Sequence, residues 1–259
     1  SIKTKTKDIA VSLDTSKAEI YNLQIPIMDE ESLREATALG GFWDQFDETP
    51  DNLEEYETSY AVLNTNEELG VMDVVLVAME IKFVETYSNI FRLAGYNPVV
   101  IDLAPFAHIN AQGILLGKEG FETPNVVLNY TKEEKSITIC SNKGFQYSEL
   151  NIIEADQVLL DTVEEVESIE TEFWDEIFER LGSQIKQYLV EYETKYEFDP
   201  INIVTVISDK SKIKNVSKGI ERQLGDVVVK LYNPEDSAEI SDDAKKYIDS
   251  LSNKSLASE

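Results

Sequence analysis

Residues 73–111, DVVLVAMEIKFVETYSNIFRLAGYNPVVIDLAPFAHINA, decide the fold class. The run Met72 to Met79 is apolar at successive positions apart from Asp73, which predicts a central strand buried on both faces. From Ile81 to Ala94 the residues Phe83, Tyr87, Ile90, Phe91 and Ala94 recur at helical spacing, and Gly95 is the expected C-terminal glycine. Pro98 to Leu103 predicts a second buried strand, and Phe106 to Leu116 a helix that packs through Phe106, Ile109 and Ala111. Strand, helix, strand and helix in this order predict a mixed α/β fold.

Upstream, Ile9 to Leu13 and Ala18 to Ile25 read as short strands around a turn at Asp14 to Ser16, the second ending at Pro26. Asp29 is then a plausible N-cap, with Glu30 and Glu31 in the first helical turn and Gly40-Gly41 at the far end. Thr58 to Asn64 is a further strand. Downstream, Val126 to Tyr130, Ser136 to Cys140 and Phe145 to Leu150 predict a three-strand meander with turns at Lys132 to Lys135 and Ser141 to Gly144. An acidic helical region from about Glu154 to Thr194 carries the i, i+4 ladder Phe173, Ile177, Leu181, Ile185 and Leu189. Ile201 to Ile207 returns as a strand, followed by a helix from Lys212 to Leu224, a strand at Val227 to Leu231 and a terminal amphipathic helix at Ile240 to Leu251.

With 23 Lys and Arg against 50 Asp and Glu, the 259-residue chain has a net charge of −27, which opposes a broad grip on nucleic acid or anionic lipid. The single Cys140 excludes an internal disulfide and fits a reducing cytoplasm. The most apolar run, Val71 to Met79, is too short to span a bilayer, and no charged-then-apolar leader opens the chain, so direct membrane insertion is not expected. A start at Ser1 and a polar end at Ser250 to Glu259 leave open a piece of a longer protein.

Few residues suggest chemistry. His108 is the lone histidine, which excludes His-pair metal sites, and inside a predicted helix it reads as a packed or surface residue. Cys140 in a strand pattern reads as a buried thiol. The carboxylates from Glu164 to Glu179 surround an aromatic stripe and read as a solvated helix face, with Phe173, Trp174 and Phe178 in the core. Neither GxxxxGK[ST] nor GxGxxG occurs. Phe42, Trp43 and Phe46 cluster beside Asp44, Asp47 and Glu48, either as a partner-binding anchor or as loop aromatics tucked onto the adjacent sheet.

The 73–111 stretch resembles the PilM-like family of actin-fold proteins in type IV pilus assembly. Val77-Ala78, Gly95, Pro98, Asp102 and Phe106-Ala107 stand where that family has a strand ending in alanine, a helix-closing glycine, a proline turn, a strand ending in aspartate and a Phe-Ala helix start. The element order upstream and downstream extends the similarity over most of the chain. The resemblance implies actin-like, ribonuclease H-like subdomains: a first half at 1–117 that includes a small inserted α+β subdomain at about 18–79, and a second half at 118–259.

Nucleotide-binding members of the family carry an Asp-x-Gly phosphate turn after the strand that opens the second half. Here Asn129-Tyr130-Thr131 stands there, with a Cβ where the backbone approaches phosphate. Ser208-Asp209 replace the paired glycines of the adenosine end, and Asp14-Thr15-Ser16-Lys17 lacks the glycine of a first phosphate turn, the first hairpin being absent or degenerate.

The resemblance therefore implies a non-catalytic scaffold of an inner-membrane pilus or related secretion platform. It would lie in the cytoplasm and bind the cytoplasmic tail of a membrane assembly protein in a groove between the small subdomain and the elements Ile81 to Ala111. Phe42, Trp43 and Phe46 are candidate anchors, and an acidic surface favours a tail carrying Lys or Arg. No cofactor, metal or nucleic acid is expected. The alternative is an ATP- and magnesium-binding actin-like ATPase of the same machinery, and self-association is left open.

Overall fold

In a computed structural model of the chain, residues 7–13, 15, 17–38, 41–42, 52–116, 122–131, 134–162, 171–207 and 213–231 are described. Three sheets organise them, and β4 (Val71–Glu80) ties the first two to the third. It pairs antiparallel with β2 (Ala18–Pro26) on one side and with β3 (Tyr56–Asn66) on the other, giving the order β2-β4-β3. A strand sends alternate side chains to opposite faces, which explains why this one is apolar throughout. Met72, Val74, Leu76 and Ala78 face α1 (Glu30–Ala38) and pack with Leu23, Ile25 and Leu33. Val75, Val77 and Met79 face away from α1, toward the rest of the molecule.

The α1 start follows the sequence signal. The Asp29 carboxylate accepts the Ser32 backbone N–H at 2.8 Å, and this bond holds its pKa below the ordinary value. At the other end the Gly41 N–H donates to the Ala36 carbonyl at 2.8 Å.

β1 (Asp8–Leu13) and β2 are separated by only a short turn, yet they do not form a hairpin. β1 runs parallel to β5 (Asn97–Leu103) in a two-stranded sheet, and β2 joins the other sheet. α2 (Ile81–Leu93) covers one face of the β1–β5 sheet through Phe83, Val84 and Tyr87, against Val11, Leu13, Ile101 and Leu103. Gly95 closes the helix at φ 88°, a left-handed conformation that glycine adopts freely. Two sequence expectations need correction here. β5 is not a buried strand, since Val99 and Val100 are 58% and 50% exposed, and Ile90 on α2 is 53% exposed. Val99 is the extra residue where the register shifts between the Ile9–Pro98 and Ala10–Val100 pairs, so it falls out of the ladder, and Val100 points away from the face that carries Ile101 and Leu103.

α3 (Ala104–Leu116) leads to a five-stranded sheet of order β10-β9-β6-β7-β8. Its meander β6 (Asn125–Tyr130), β7 (Lys135–Ser141) and β8 (Gly144–Glu149) is antiparallel, while β9 (Ile203–Ile207) and β10 (Val228–Leu231) run parallel to β6. α4 (Glu154–Thr162), α5 (Thr171–Tyr196) and α6 (Ile213–Leu224) complete the described elements. The ladder residues Ile177, Leu181, Ile185 and Leu189 of the 26-residue α5 are buried against Val126, Leu128, Ile137 and Ile139. On the opposite sheet face Val127, Cys140 and Phe145 meet Val75 of β4 and Ile109 of α3, so the halves share a core.

Candidate functional site

The odd-numbered face of β4 does not lie flush against α2, β5 and α3. Val75, Val77 and Met79 floor a groove of about 520 Å³ whose opposite wall is built by Val84, Ile101, Leu103 and Phe106. β3 forms the near rim from Glu57 to Ala61, and Asp102 with Asn110 the far one. The Asp102 carboxylate accepts the Leu103 backbone N–H at 2.8 Å and the Asn110 amide N–H at 3.3 Å, which fixes its orientation at the rim. Among the described residues the lining holds two carboxylates, Glu57 and Asp102, and no lysine or arginine. β3 is an edge strand whose outer side has no partner strand among the described residues. An open edge beside an apolar floor suits an extended polypeptide, whose main chain and alternate side chains find partners there.

The groove lies where the sequence placed it, between the small sheet and Ile81 to Ala111, but the residues that build it are not those singled out in advance. Phe42 is 3% exposed and packs with Leu33, Leu76 and Met72 in the core beneath α1, so its ring is a tucked loop aromatic. Trp43 and Phe46 lie outside the described residues, as do Asp14, Ser16, Gly40, Ser208, Asp209 and the segment Ile240 to Leu251. Val77, Asp102 and Phe106 entered the sequence reading only as marks of the family resemblance and Ile101 only as a strand residue, and none was singled out as lining the groove. What marks them is partial burial, which becomes visible once the elements are placed.

The turn between β6 and β7 is the second place of interest. Thr131 closes it on itself: its backbone N–H donates to the Glu134 carbonyl at 2.9 Å, and its hydroxyl donates to that carbonyl and accepts the Glu134 N–H, both at 3.1 Å. The Lys135 ammonium donates to the Thr131 carbonyl at 3.0 Å. Among the described residues of the turn, the Thr131 and Glu134 backbone N–H groups are both engaged within it.

The Glu134 carboxylate occupies the same turn, accepting from the Ser136 hydroxyl at 2.7 Å and the Tyr147 phenol at 3.1 Å. Tyr147 is in turn hydrogen-bonded to the Thr15 hydroxyl at 2.7 Å, and burial pushes its phenol up to about 12. Tyr130 points the other way, into the α5 core. Asn129 is 4% exposed and its Oδ1 has no hydrogen-bond partner. An anionic phosphate here would meet the Glu134 carboxylate beside the Lys135 ammonium, with the Thr131 and Glu134 N–H groups turned inward.

Other titratable groups are structural. Burial holds the His108 imidazole below its ordinary pKa, with Glu134 opposing, so it is neutral at pH 7. Cys140 is buried and its thiol is pushed up to about 12 by desolvation, which leaves no thiolate for nucleophilic work. Among the described residues no three His, Cys, Asp or Glu side chains converge to hold a metal, and no helix is long and apolar enough to cross a membrane.

No family model and no curated relative matches the sequence. The fold does have solved counterparts. A structure of the PilM–PilN type IV pilus biogenesis complex superposes with a TM-score of 0.68 at 17% identity, over 92% of this chain and 73% of that one. A protein from Bacteroides thetaiotaomicron described as having an actin-like ATPase fold and unknown function overlaps 88% of this chain and 69% of its own at 12% identity, with a TM-score of 0.39 too low to carry weight. The mixed α/β fold expected from the sequence is the fold observed, and it is shared with the chain solved in that pilus complex.

Proposed function

We propose that this chain is a non-catalytic scaffold of a type IV pilus or related secretion platform, and that it holds the cytoplasmic tail of an inner-membrane assembly protein in the groove between β3–β4 and α2–β5–α3. The observation that carries the reading is the groove itself: an apolar floor of Val75, Val77 and Met79, and, among the described residues, an acidic rim without a basic residue and an open strand edge alongside. The likeness of fold to a protein solved in complex with PilN supports the choice of partner class. On this reading an aliphatic side chain of the tail enters the groove while a Lys or Arg pairs with Glu57 or Asp102, which speeds encounter more than it adds affinity. The chain meets the membrane only through that partner.

The reading against the ATPase alternative rests on the β6–β7 turn, where the Thr131 and Glu134 N–H groups bond within the turn and the Glu134 carboxylate adds a negative charge. Both readings are tested together with a fluorescently labelled synthetic peptide of the cytoplasmic tail of the PilN-type protein from the same genome. The expected result is saturable binding that is lost in the exposed groove-rim variant Ser59→Trp and is unchanged by magnesium and ATP. Binding that survives Ser59→Trp, or that requires nucleotide, overturns the assignment.

A further inference from the structure

Phe145 does not line the groove, yet the groove's shape depends on it. It lies at the start of β8, in the five-stranded sheet, and is 1% exposed. Its ring stacks on Phe106 of α3, with centroids 4.6 Å apart and planes inclined by 25°, and Phe106 is the groove's far wall. Its backbone N–H donates to the Asn22 side-chain oxygen at 3.3 Å, and Asn22 belongs to β2 of the small sheet that floors the groove. One residue thus joins Phe106 of one groove wall to β2, the strand paired with the floor strand β4, and shares a buried cluster with the floor residue Val75.

The position of Phe145 is set in turn by α5. The Tyr192 phenol donates to the Gly144 carbonyl at 2.7 Å, and the Tyr196 ring lies so close to Gly144 that a Cβ there would fall 2.1 Å from it. From this chain of contacts we infer that Phe145 is a positioning residue for the partner-binding groove, and that the five-stranded half fixes the separation of the groove walls. Packed interiors transmit such displacements because they hold no slack to absorb them. The inference rests on the groove reading for its meaning but not for its measurement.

The test places spin labels at the exposed Thr65 on β3 and Glu85 on α2, through Thr65→Cys and Glu85→Cys, and measures their separation by pulsed electron resonance without any ligand. The expected result is one narrow distance distribution in the parent, broadened and displaced in Phe145→Ala and intermediate in the milder Phe145→Leu. Leu181→Ala, in the α5 core away from this contact, serves as a control of comparable destabilisation and leaves the distribution unchanged. Affinity for the labelled tail peptide falls about tenfold in Phe145→Ala and not in Leu181→Ala. A Phe145→Ala or Phe145→Leu distribution identical to the parent, or an equal change in Leu181→Ala, overturns the inference. If the peptide binds none of the proteins, the partner assignment fails while the distance measurement still decides this point.

Discussion

Replacing Arg180 by methionine should destabilise the protein more than replacing its partner Asp156 by alanine. The two residues join α4 to α5: the guanidinium donates twice to the carboxylate, Nε to Oδ2 at 2.9 Å and Nη2 to Oδ1 at 2.8 Å. Their environments differ, because the Asp156 side chain is 8% exposed and that of Arg180 is 48% exposed. Arg180→Met leaves a buried carboxylate without its donors. Stripping one member of a fully buried pair costs about 3–5 kcal/mol, and the half-exposed arginine reduces that to about 2 kcal/mol here. Asp156→Ala leaves an arginine that reaches water and the Glu176 carboxylate at 3.9 Å, for a cost of about 1 kcal/mol.

In a chain of this size the difference corresponds to melting temperatures lower by about 4–8 °C and about 2–4 °C respectively. The double variant Asp156→Leu with Arg180→Met should lie closer to the parent than Arg180→Met does, since an apolar pair removes the stranded charge. Urea unfolding followed by circular dichroism reads all three. A larger loss for Asp156→Ala, or a double variant as unstable as the sum of the singles, refutes the reasoning.

Two further outcomes are expected. Gly144→Ala should cost about 1–3 kcal/mol because its Cβ meets the Tyr196 ring, and Tyr196→Ala in the same chain should recover part of the loss in urea unfolding; absence of any rescue contradicts the packing account. Cys140 should resist iodoacetamide at pH 8 until the chain is unfolded. Because its folded pKa of about 12 lies above the ordinary 9.0, the unfolded state ionises first, so its contribution to stability is intact below pH 9 and is lost as pH rises toward 12. Tyr147 and Tyr192, also raised by burial, act in the same direction. A urea midpoint in Cys140→Ala that falls as steeply above pH 9 as the parent's would remove the cysteine from that account.

Local signals carried much of the fold. The glycine that ends α2, the ladder on α5 and the turns of the meander each report interactions between near neighbours, and each lies where the sequence placed it. Partner choice between strands is not local. Nothing in Ile9 to Leu13 announces β5, 89 positions from Asp8 to its register partner Asn97, as its neighbour in place of the adjacent β2. The exposure of Val99 and Val100 likewise follows from how β5 pairs with β1, with a register shift at Val99, rather than from their own chemistry.

For the site, the general location was legible through the family resemblance, whereas its walls were not. The apolar pattern of β4 shows two buried faces but not that one faces a gap, and an aromatic loop cluster drew attention that the structure returns, for Phe42, to the core. Phe106 and Phe145 are 39 residues apart in sequence and meet because α3 packs on the five-stranded sheet.

Hydrogen exchange measured by mass spectrometry, with and without the labelled tail peptide, tests the central claim most directly. The account predicts that the peptide slows exchange in β3 from Glu57 to Ala61 and around Asp102 to Asn110, and leaves the Thr131 to Glu134 turn unchanged. Protection centred on that turn, with none along β3, would place the partner in the cleft between the halves and contradict the groove as the docking site.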